Sequence, residues 1–210
     1  EPEPVVKLEQ LGNSTLGEVR SEYYGWRLSL NNDGTRFAAT STTYDLNTYS
    51  RGRVGVHQYN VSEEPQWKQL GDYIEGDNEN DSFGSSVSLS KNGKILAVGA
   101  NKNTEYGYVK VYRINEPEGQ LKSKSIIKTR SQVTPSTLWV PKGQEIYGEE
   151  NSDFNGQSVS LSENGLTIAI GARESDAIAN TTGYTKIWNW DEANSLWVNN
   201  TNYNNQNKIE

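Results

Sequence analysis

The stretch Ser82-Phe83-Gly84-Ser85-Ser86-Val87-Ser88-Leu89-Ser90-Lys91-Asn92-Gly93-Lys94-Ile95-Leu96-Ala97-Val98-Gly99-Ala100 decides the fold. Val87 and Leu89 alternate with Ser86, Ser88 and Ser90, which is the period of two of a half-buried strand. Asn92-Gly93 then predicts a hairpin turn of type I′, in which both central residues take positive φ. Beyond the turn, Leu96 and Val98 alternate with Ala97 and Gly99. One face of this hairpin is bulky. The other is Ser, Ala and Gly, small enough for a second layer to approach closely.

The hairpin occurs three times. Tyr24-Gly25-Trp26 through Asn32-Asp33-Gly34 runs into Phe37-Ala38-Ala39, and Phe154-Asn155-Gly156 through Asn164-Gly165 runs into Ile168-Ala169-Ile170. From Gly25 to Gly84 is 59 residues, and from Gly84 to Gly156 is 72. The turn glycines Gly34, Gly93 and Gly165 keep both intervals, as do Ser29, Ser88 and Ser160, and Ala38, Ala97 and Ala169. Repetition at a fixed spacing decides fold class before local propensity does.

A third strand follows each hairpin, after Gly52, Gly107 and Gly183, and a fourth lies at Trp67–Leu70, Leu138–Val140 and Leu196–Val198. Four short strands per unit of about 60 residues, repeated about an axis, make an all-β propeller blade. A solenoid coil does not need so many residues, and a sandwich has no reason to repeat its hairpin in step. The expected divisions are a leader at 1–4, repeat one at 5–66, repeat two at 67–137, repeat three at 138–198 and a polar tail at 199–210. Repeat two carries a basic insertion at about 115–137, with Lys122, Lys124, Lys128 and Arg130. A strand is expected from Val5 to Leu11, because Gln10-Leu11-Gly12 returns as Gln69-Leu70-Gly71. Closed propellers have about four to eight blades. The expected partners are therefore further blades of the same parent chain, or identical copies, with a protein or polysaccharide partner beside them.

Phe83-Gly84 before Val87-Ser88-Leu89-Ser90, and Val98-Gly99-Ala100 at the end of the second strand, resemble the FG-GAP repeat of integrin-α-type β-propellers. Ser90-x-Asn92-Gly93-Lys94-x-Leu96-Ala97 is also similar to the inner hairpin of WD40-like blades, and the whole unit is similar to repeats in large extracellular proteins of algae and other protists. The resemblance covers roughly residues 5 to 198. It implies an extracellular or cell-surface location. Many FG-GAP blades carry an Asp-rich calcium loop between the first two strands. Here Asn31-Asn32-Asp33-Gly34, Lys91-Asn92-Gly93 and Glu163-Asn164-Gly165 stand in that place, too poor in carboxylates for the six to eight oxygens calcium takes.

Composition narrows the function classes. The 210 residues carry a net charge of −7, which opposes nucleic acid, whose affinity rests on phosphate neutralisation. No apolar run approaches the ~18 residues of a membrane span. With neither Cys nor Met, thiolate chemistry and disulfides are excluded within these residues. His57 is the only histidine; it aligns with Tyr112 and Trp188, so the position calls for an aromatic ring. No cofactor is expected and no catalytic residue is assigned.

The loop 42–51 is the sequence candidate for ligand binding. Its Tyr44 and Tyr49 offer amphipathic rings, and Asp45, Asn47 and Arg51 offer polar groups that read hydroxyls and charges. Asp77, Glu79 and Asp81 alternate before Phe83-Gly84 and are the weak candidates for a metal, although a carboxylate there more simply caps a turn. Asn13, Asn60, Asn80, Asn180 and Asn199 lie in glycosylation sequons. The expected function is a non-enzymatic scaffold or adhesion module that makes protein–protein or protein–matrix contacts. The alternatives are a lectin-like glycan binder and a glycan-active hydrolase. A repeated lectin site calls for equivalent loops, yet 42–51, 101–106 and 173–182 differ in length and content. A hydrolase calls for carboxylates on the inner strands, where Ser29, Ser88 and Ser160 stand instead.

Overall fold

Side chains, as well as backbone, close each hairpin in the computed structural model, which describes residues 9–43, 51–101, 106–115, 138–149, 153–173 and 183–199. Asn31 Oδ1 accepts the Arg36 N–H, Ser90 Oγ the Ile95 N–H and Ser162 Oγ the Thr167 N–H, at 2.9, 3.0 and 3.0 Å. Asp33, Asn92 and Asn164 accept the N–H two residues on, at 3.0, 2.9 and 3.0 Å. The turn departs from the type I′ expectation. Gly93 N–H donates to Ser90 O at 2.8 Å, and Gly93 takes φ 65° while Asn92 stays at negative φ. The reason is local: the Asn92 carboxamide is engaged by the Lys94 N–H in an Asx turn, and only the following glycine needs the left-handed region.

These hairpins seed three antiparallel sheets. The first has β1 (Leu28–Leu30), β2 (Arg36–Ser41), β3 (Arg53–Tyr59) and β4 (Trp67–Gln69) in that order, with β5 (Ile74–Glu75) pairing the start of β3. The second has β6 (Phe83–Leu89), β7 (Ile95–Ala100), β8 (Tyr108–Ile114) and β9 (Trp139–Pro141), with β10 (Ile146–Tyr147) pairing β8. The third has β11 (Ser158–Leu161), β12 (Thr167–Ala172), β13 (Tyr184–Asp191) and β14 (Leu196–Asn199). Among the described residues there is no helix. The outer strand of the first two sheets comes in two pieces, broken beside Gly71 and Gly143 at φ 82° and 81°. The sequence pattern did not signal the second pieces, β5 and β10. Of the strand expected at Val5–Leu11, residues up to Leu8 lie outside the described set, and Glu9–Leu11 pair with no strand.

The small face of one sheet receives the bulky face of the next. One core cluster joins Ala38, Val54 and Val56 of the first sheet to Leu89, Leu96 and Val98 of the second. Another joins Ala97, Val109 and Val111 of the second to Ile168, Ile170 and Trp197 of the third. Each fully buried aliphatic or aromatic side chain is worth about 1.5–3 kcal/mol. The repeated serines stitch the inner strands together. Ser29 Oγ accepts the Leu89 N–H and Ser88 Oγ accepts the Leu161 N–H, both at 2.9 Å. At the outer rim, Trp67, Trp139 and Trp197 each donate their ring N–H, to Leu11 O, Leu70 O and Lys142 O at 2.8, 2.9 and 2.8 Å. Residues 11–12 therefore sit on the first sheet as residues 70–71 sit on the second.

Candidate binding site at the mouth of the inner strands

Three hydrogen-bonded turns deliver the chain to the inner strands. Trp26 N–H donates to Tyr23 O, Ser85 N–H to Ser82 O and Gln157 N–H to Phe154 O, at 3.1, 3.0 and 3.0 Å. Tyr23, Ser82 and Phe154 all take left-handed φ, at 52°, 50° and 51°. That conformation costs a side-chain-bearing residue about 1–2 kcal/mol, so its threefold recurrence needs support from the surroundings.

The support is a buried carboxylate one residue before each of these positions. Glu22, Asp81 and Asp153 keep the 59- and 72-residue intervals and all are buried. Each binds the first residue of the adjoining third strand: Arg53 Nη2 donates to Glu22 at 2.7 Å, Tyr108 OH to Asp81 at 2.6 Å and Tyr184 OH to Asp153 at 2.8 Å. Each also accepts a backbone N–H, from Glu18, Asn78 and Glu149 at 2.5, 3.0 and 2.8 Å. Burial, reinforced by hydrogen bonding to the carboxylate, pushes the Tyr108 and Tyr184 phenols well above their ordinary range. Asp81 is thus a structural peg. Asp77 pairs with Lys110, and Glu79 is exposed. Among the described residues, no three His, Cys, Asp or Glu side chains converge as a metal site would require.

The turns and the ends of the second strands enclose a cavity of about 240 Å³. Its walls come from matching positions of the three repeats. Trp26, Ser85 and Gln157 are one such set, and Thr42, Asn101 and Arg173 are another; Ser82 and Phe154 belong to a third, and Arg27 completes the lining. The backbone slot is shared, while the side chains differ. The Arg27 guanidinium lies over the Trp26 ring at 5.1 Å, and that of Arg173 over the Phe154 ring at 4.8 Å. Trp26 is 50% exposed at this mouth. Asn101 donates to Gln157 across the opening. In a chain of net charge −7, this mouth presents two guanidiniums, and none of the described lining residues is a carboxylate.

The loop proposed from sequence begins at this mouth through Thr42. Tyr44, Asp45, Asn47 and Tyr49 lie outside the described residues, and Arg51 is exposed, its carbonyl accepting the Phe83 N–H at 3.0 Å. The basic segment 116–137 lies outside them as well. Sequence reading passed over Trp26, Arg27, Asn101, Gln157 and Arg173. The available signal was their register: two sets of positions that keep the repeat interval while changing residue type. His57 is buried, stacked on Phe37 at 4.8 Å, and burial pulls it down to about 4. Among the sequon asparagines, Asn13 Oδ1 accepts the Trp67 N–H at 2.8 Å, Asn60 bonds Ser62 and Glu63, Asn80 is exposed, and Asn199 is half-buried in β14; Asn180 lies outside the described residues.

No protein-family model matches the sequence, and no curated protein matches it. Solved structures do. Sqt1 from Chaetomium thermophilum superposes with a TM-score of 0.51 at 14% identity, covering 85% of this chain and 36% of that one. TolB from Acinetobacter baumannii gives 0.41 at 12% identity, covering 86% of this chain and 33% of that one. This chain therefore spans about a third of the length of these structures. The Sqt1 likeness shows the fold: three antiparallel sheets arranged as blades of a β-propeller. No helix among the described residues is long and apolar enough to cross a membrane.

Proposed function

We propose that this chain is a non-enzymatic propeller module that holds an acidic protein segment at the mouth of its inner strands. The observation that carries the reading is the pair of guanidiniums, Arg27 and Arg173, each laid over an aromatic ring beside one cavity. A guanidinium is a planar fork matched to a carboxylate, and a ring behind it restrains its orientation. A pocket so lined binds and orients anions; a serine-, amide- and arginine-lined wall supports binding over catalysis. The finer identification as an FG-GAP-like, integrin-α-type module rests on Phe83-Gly84 and Val98-Gly99-Ala100. Placement outside the cell or at its surface, in adhesion, rests on that resemblance and on the sequons.

The test is calorimetric titration of the chain with a hexaglutamate peptide and with its hexaglutamine counterpart. The acidic peptide should bind with an affinity that falls as salt rises, and Arg27→Ala with Arg173→Ala should weaken it at least about tenfold, the loss of 1.4 kcal/mol or more. Equal binding of both peptides, or no effect of the two substitutions, would sink the reading. The exposed Trp26 ring favours one second reading, an acidic glycan stacked on the indole. An oligogalacturonide that binds where the peptide does not would select it.

A further inference from the structure

The two junctions between sheets repeat the same inner-strand and hairpin-tip hydrogen bonds, and the outward faces of the first and third sheets carry the matching positions. In each junction a serine of the inner strand accepts the N–H of the leucine one step on in the next sheet: Ser29 from Leu89, Ser88 from Leu161. The next serine is Ser160, which is exposed, and the matching leucine is Leu30. The hairpin tips form a second row. Asn32 N–H donates to Lys91 O, and Lys91 N–H to Glu163 O, both at 3.0 Å. The groups in the matching positions at the two ends of this row are Glu163 N–H and Asn32 O.

Burial follows the same rule. Leu89 is 7% exposed inside the first junction, whereas its counterpart Leu30 is 63% exposed. Val111 is 2% exposed inside the second junction, whereas its counterpart Ile187 is 45% exposed. The glycines agree. A Cβ on Gly84 would strike Thr40 and the Arg53 carbonyl, and one on Gly156 would strike the Tyr108 carbonyl and Gly99. Both glycines are needed because the preceding sheet presses against them. Gly25 takes the same left-handed backbone, φ 87°, and a Cβ there would meet none of the described residues within 4 Å. Its seat is already formed on the third sheet. The cavity of about 360 Å³ lined by Ser158, Gly171, Tyr184 and Thr185 is built from the counterparts of Ser86, Gly99, Tyr108 and Val109, which hold Gly156.

We propose that the small-residue face of the third sheet, around Ser160, Ala169 and Ile187, docks the Leu28–Leu30 face of a second copy of this chain, head to tail. The two faces are complementary and unlike one another, so each contact is heterologous rather than isologous. The outer strand fits the same arrangement. Asn200-Thr201 stands in the sequence where the other outer strands carry Leu70-Gly71 and Lys142-Gly143. Leu11-Gly12 of the incoming copy, already seated on its own Trp67, brings that pair. Two copies of three blades place six about the axis, within the roughly four to eight at which propellers close. The inference rests on the propeller fold and is independent of which ligand occupies the mouth.

Light scattering and sedimentation velocity on the 210-residue chain, from about 1 to 200 µM, test it. The wild-type mass should rise with concentration to at least twice that of the protomer. Leu30→Asp spoils one face and Ile187→Asp the other, and each variant alone should remain at the protomer mass. Mixed in equal amounts, they should form a dimer and nothing larger, because one sound face of each kind survives. Wild type at the protomer mass throughout, variants that associate like wild type, or a mixture that stays monomeric would each overturn the proposal. Peptide binding by a monomeric wild type would overturn the docking alone and leave the ligand reading standing. Both positions are exposed, and far-UV circular dichroism checks that each variant folds. Should one fail, Leu28→Asp and Thr185→Asp spoil the same two faces.

Discussion

Tyr108→Phe isolates the contribution of one carboxylate peg. Tyr108 and Asp81 are each 1% exposed, and the phenol donates to the carboxylate at 2.6 Å. The substitution keeps the ring, its packing and the strand, and removes one oxygen. What remains is a buried carboxylate holding the Asn78 N–H at 3.0 Å and short of one donor. Hydrogen bonds to charged groups contribute about 1.5–3 kcal/mol, and a buried group left unsatisfied costs about as much as the bond it lost. The expected loss is therefore about 2 kcal/mol of an unfolding free energy of roughly 5–15. Asp81→Ala strands both the phenol and the N–H and should cost more, about 2–5 kcal/mol. Tyr147→Phe is the control, because that phenol meets Glu145 in solvent and its loss should stay within about 0.5 kcal/mol. Urea titration followed by tryptophan fluorescence reads all three. A Tyr108→Phe midpoint equal to wild type would refute the peg, as would a Tyr108→Phe/Asp81→Asn double variant whose losses simply add.

His57 predicts a pH dependence. Its folded pKa is lowered to about 4 by burial, so the unfolded chain takes the proton first, near its ordinary value of about 6.5. Stability should be full above about 6.5, fall as the pH drops, and level off below about 4, for a total loss of about 3 kcal/mol. Urea midpoints of wild type minus those of His57→Phe across that window read the histidine alone; a flat difference would contradict its buried, neutral state. Leu89→Ala should cost about 2–5 kcal/mol as a large-to-small change in the core, and Lys91→Ala, whose exposed amine pairs with Glu163, at most about 1. Equal losses in urea would mean that the two faces of the hairpin have been exchanged. Melting in EDTA and in millimolar calcium should coincide, because a bound cation raises stability by mass action. A shift of many degrees would restore a calcium loop.

The fold was legible because its determinants are local and repeated. Val87, Leu89, Leu96 and Val98 announce the hairpin by alternation, and two glycine registers, with one of serine and one of alanine, announce the blades. The turn type was not legible from Asn92-Gly93 alone, because the deciding interaction is the Asn92 side chain on the Lys94 N–H, which competes with the backbone for the same residue. β5 and β10 were not legible because two-residue strands carry no period. Glu22, Asp81 and Asp153 were visible as acidic positions before the hairpins. Their partners Arg53, Tyr108 and Tyr184 lie some 30 residues on, 31 from Glu22 to Arg53 and 27 from Asp81 to Tyr108, and only the sheet brings them together. A run such as Asp77-x-Glu79-x-Asp81 therefore offers weak metal candidates beside a turn-capping reading, while in three dimensions it holds one peg, one surface ion pair and one solvated side chain.

The mouth illustrates a different limit. Its three turns share backbone geometry to within a few degrees at Tyr23, Ser82 and Phe154, so the scaffold at those positions is set by what repeats. Chemistry in such a protein must then come from what fails to repeat. Trp26, Ser85 and Gln157 occupy one slot, and Thr42, Asn101 and Arg173 another. A slot whose backbone is fixed by the turn can change its side chain and keep the turn, even where, as at Ser85, that side chain is buried and donates to Gly99 O at 3.0 Å. That freedom is what allows one mouth to hold an indole, two guanidiniums and two amides without disturbing the hairpins beneath. The same reasoning turns on Gly25. A residue that keeps its type in every repeat should have a neighbour that demands it, and among the described residues of one copy Gly25 has none. Either the constraint is satisfied by the face of another sheet, or Gly25→Ala costs only the strain of φ 87° and leaves assembly untouched. Measured beside Gly84→Ala, whose Cβ strikes Thr40 in any state of assembly, that substitution separates the two cases by whether its cost grows with protein concentration.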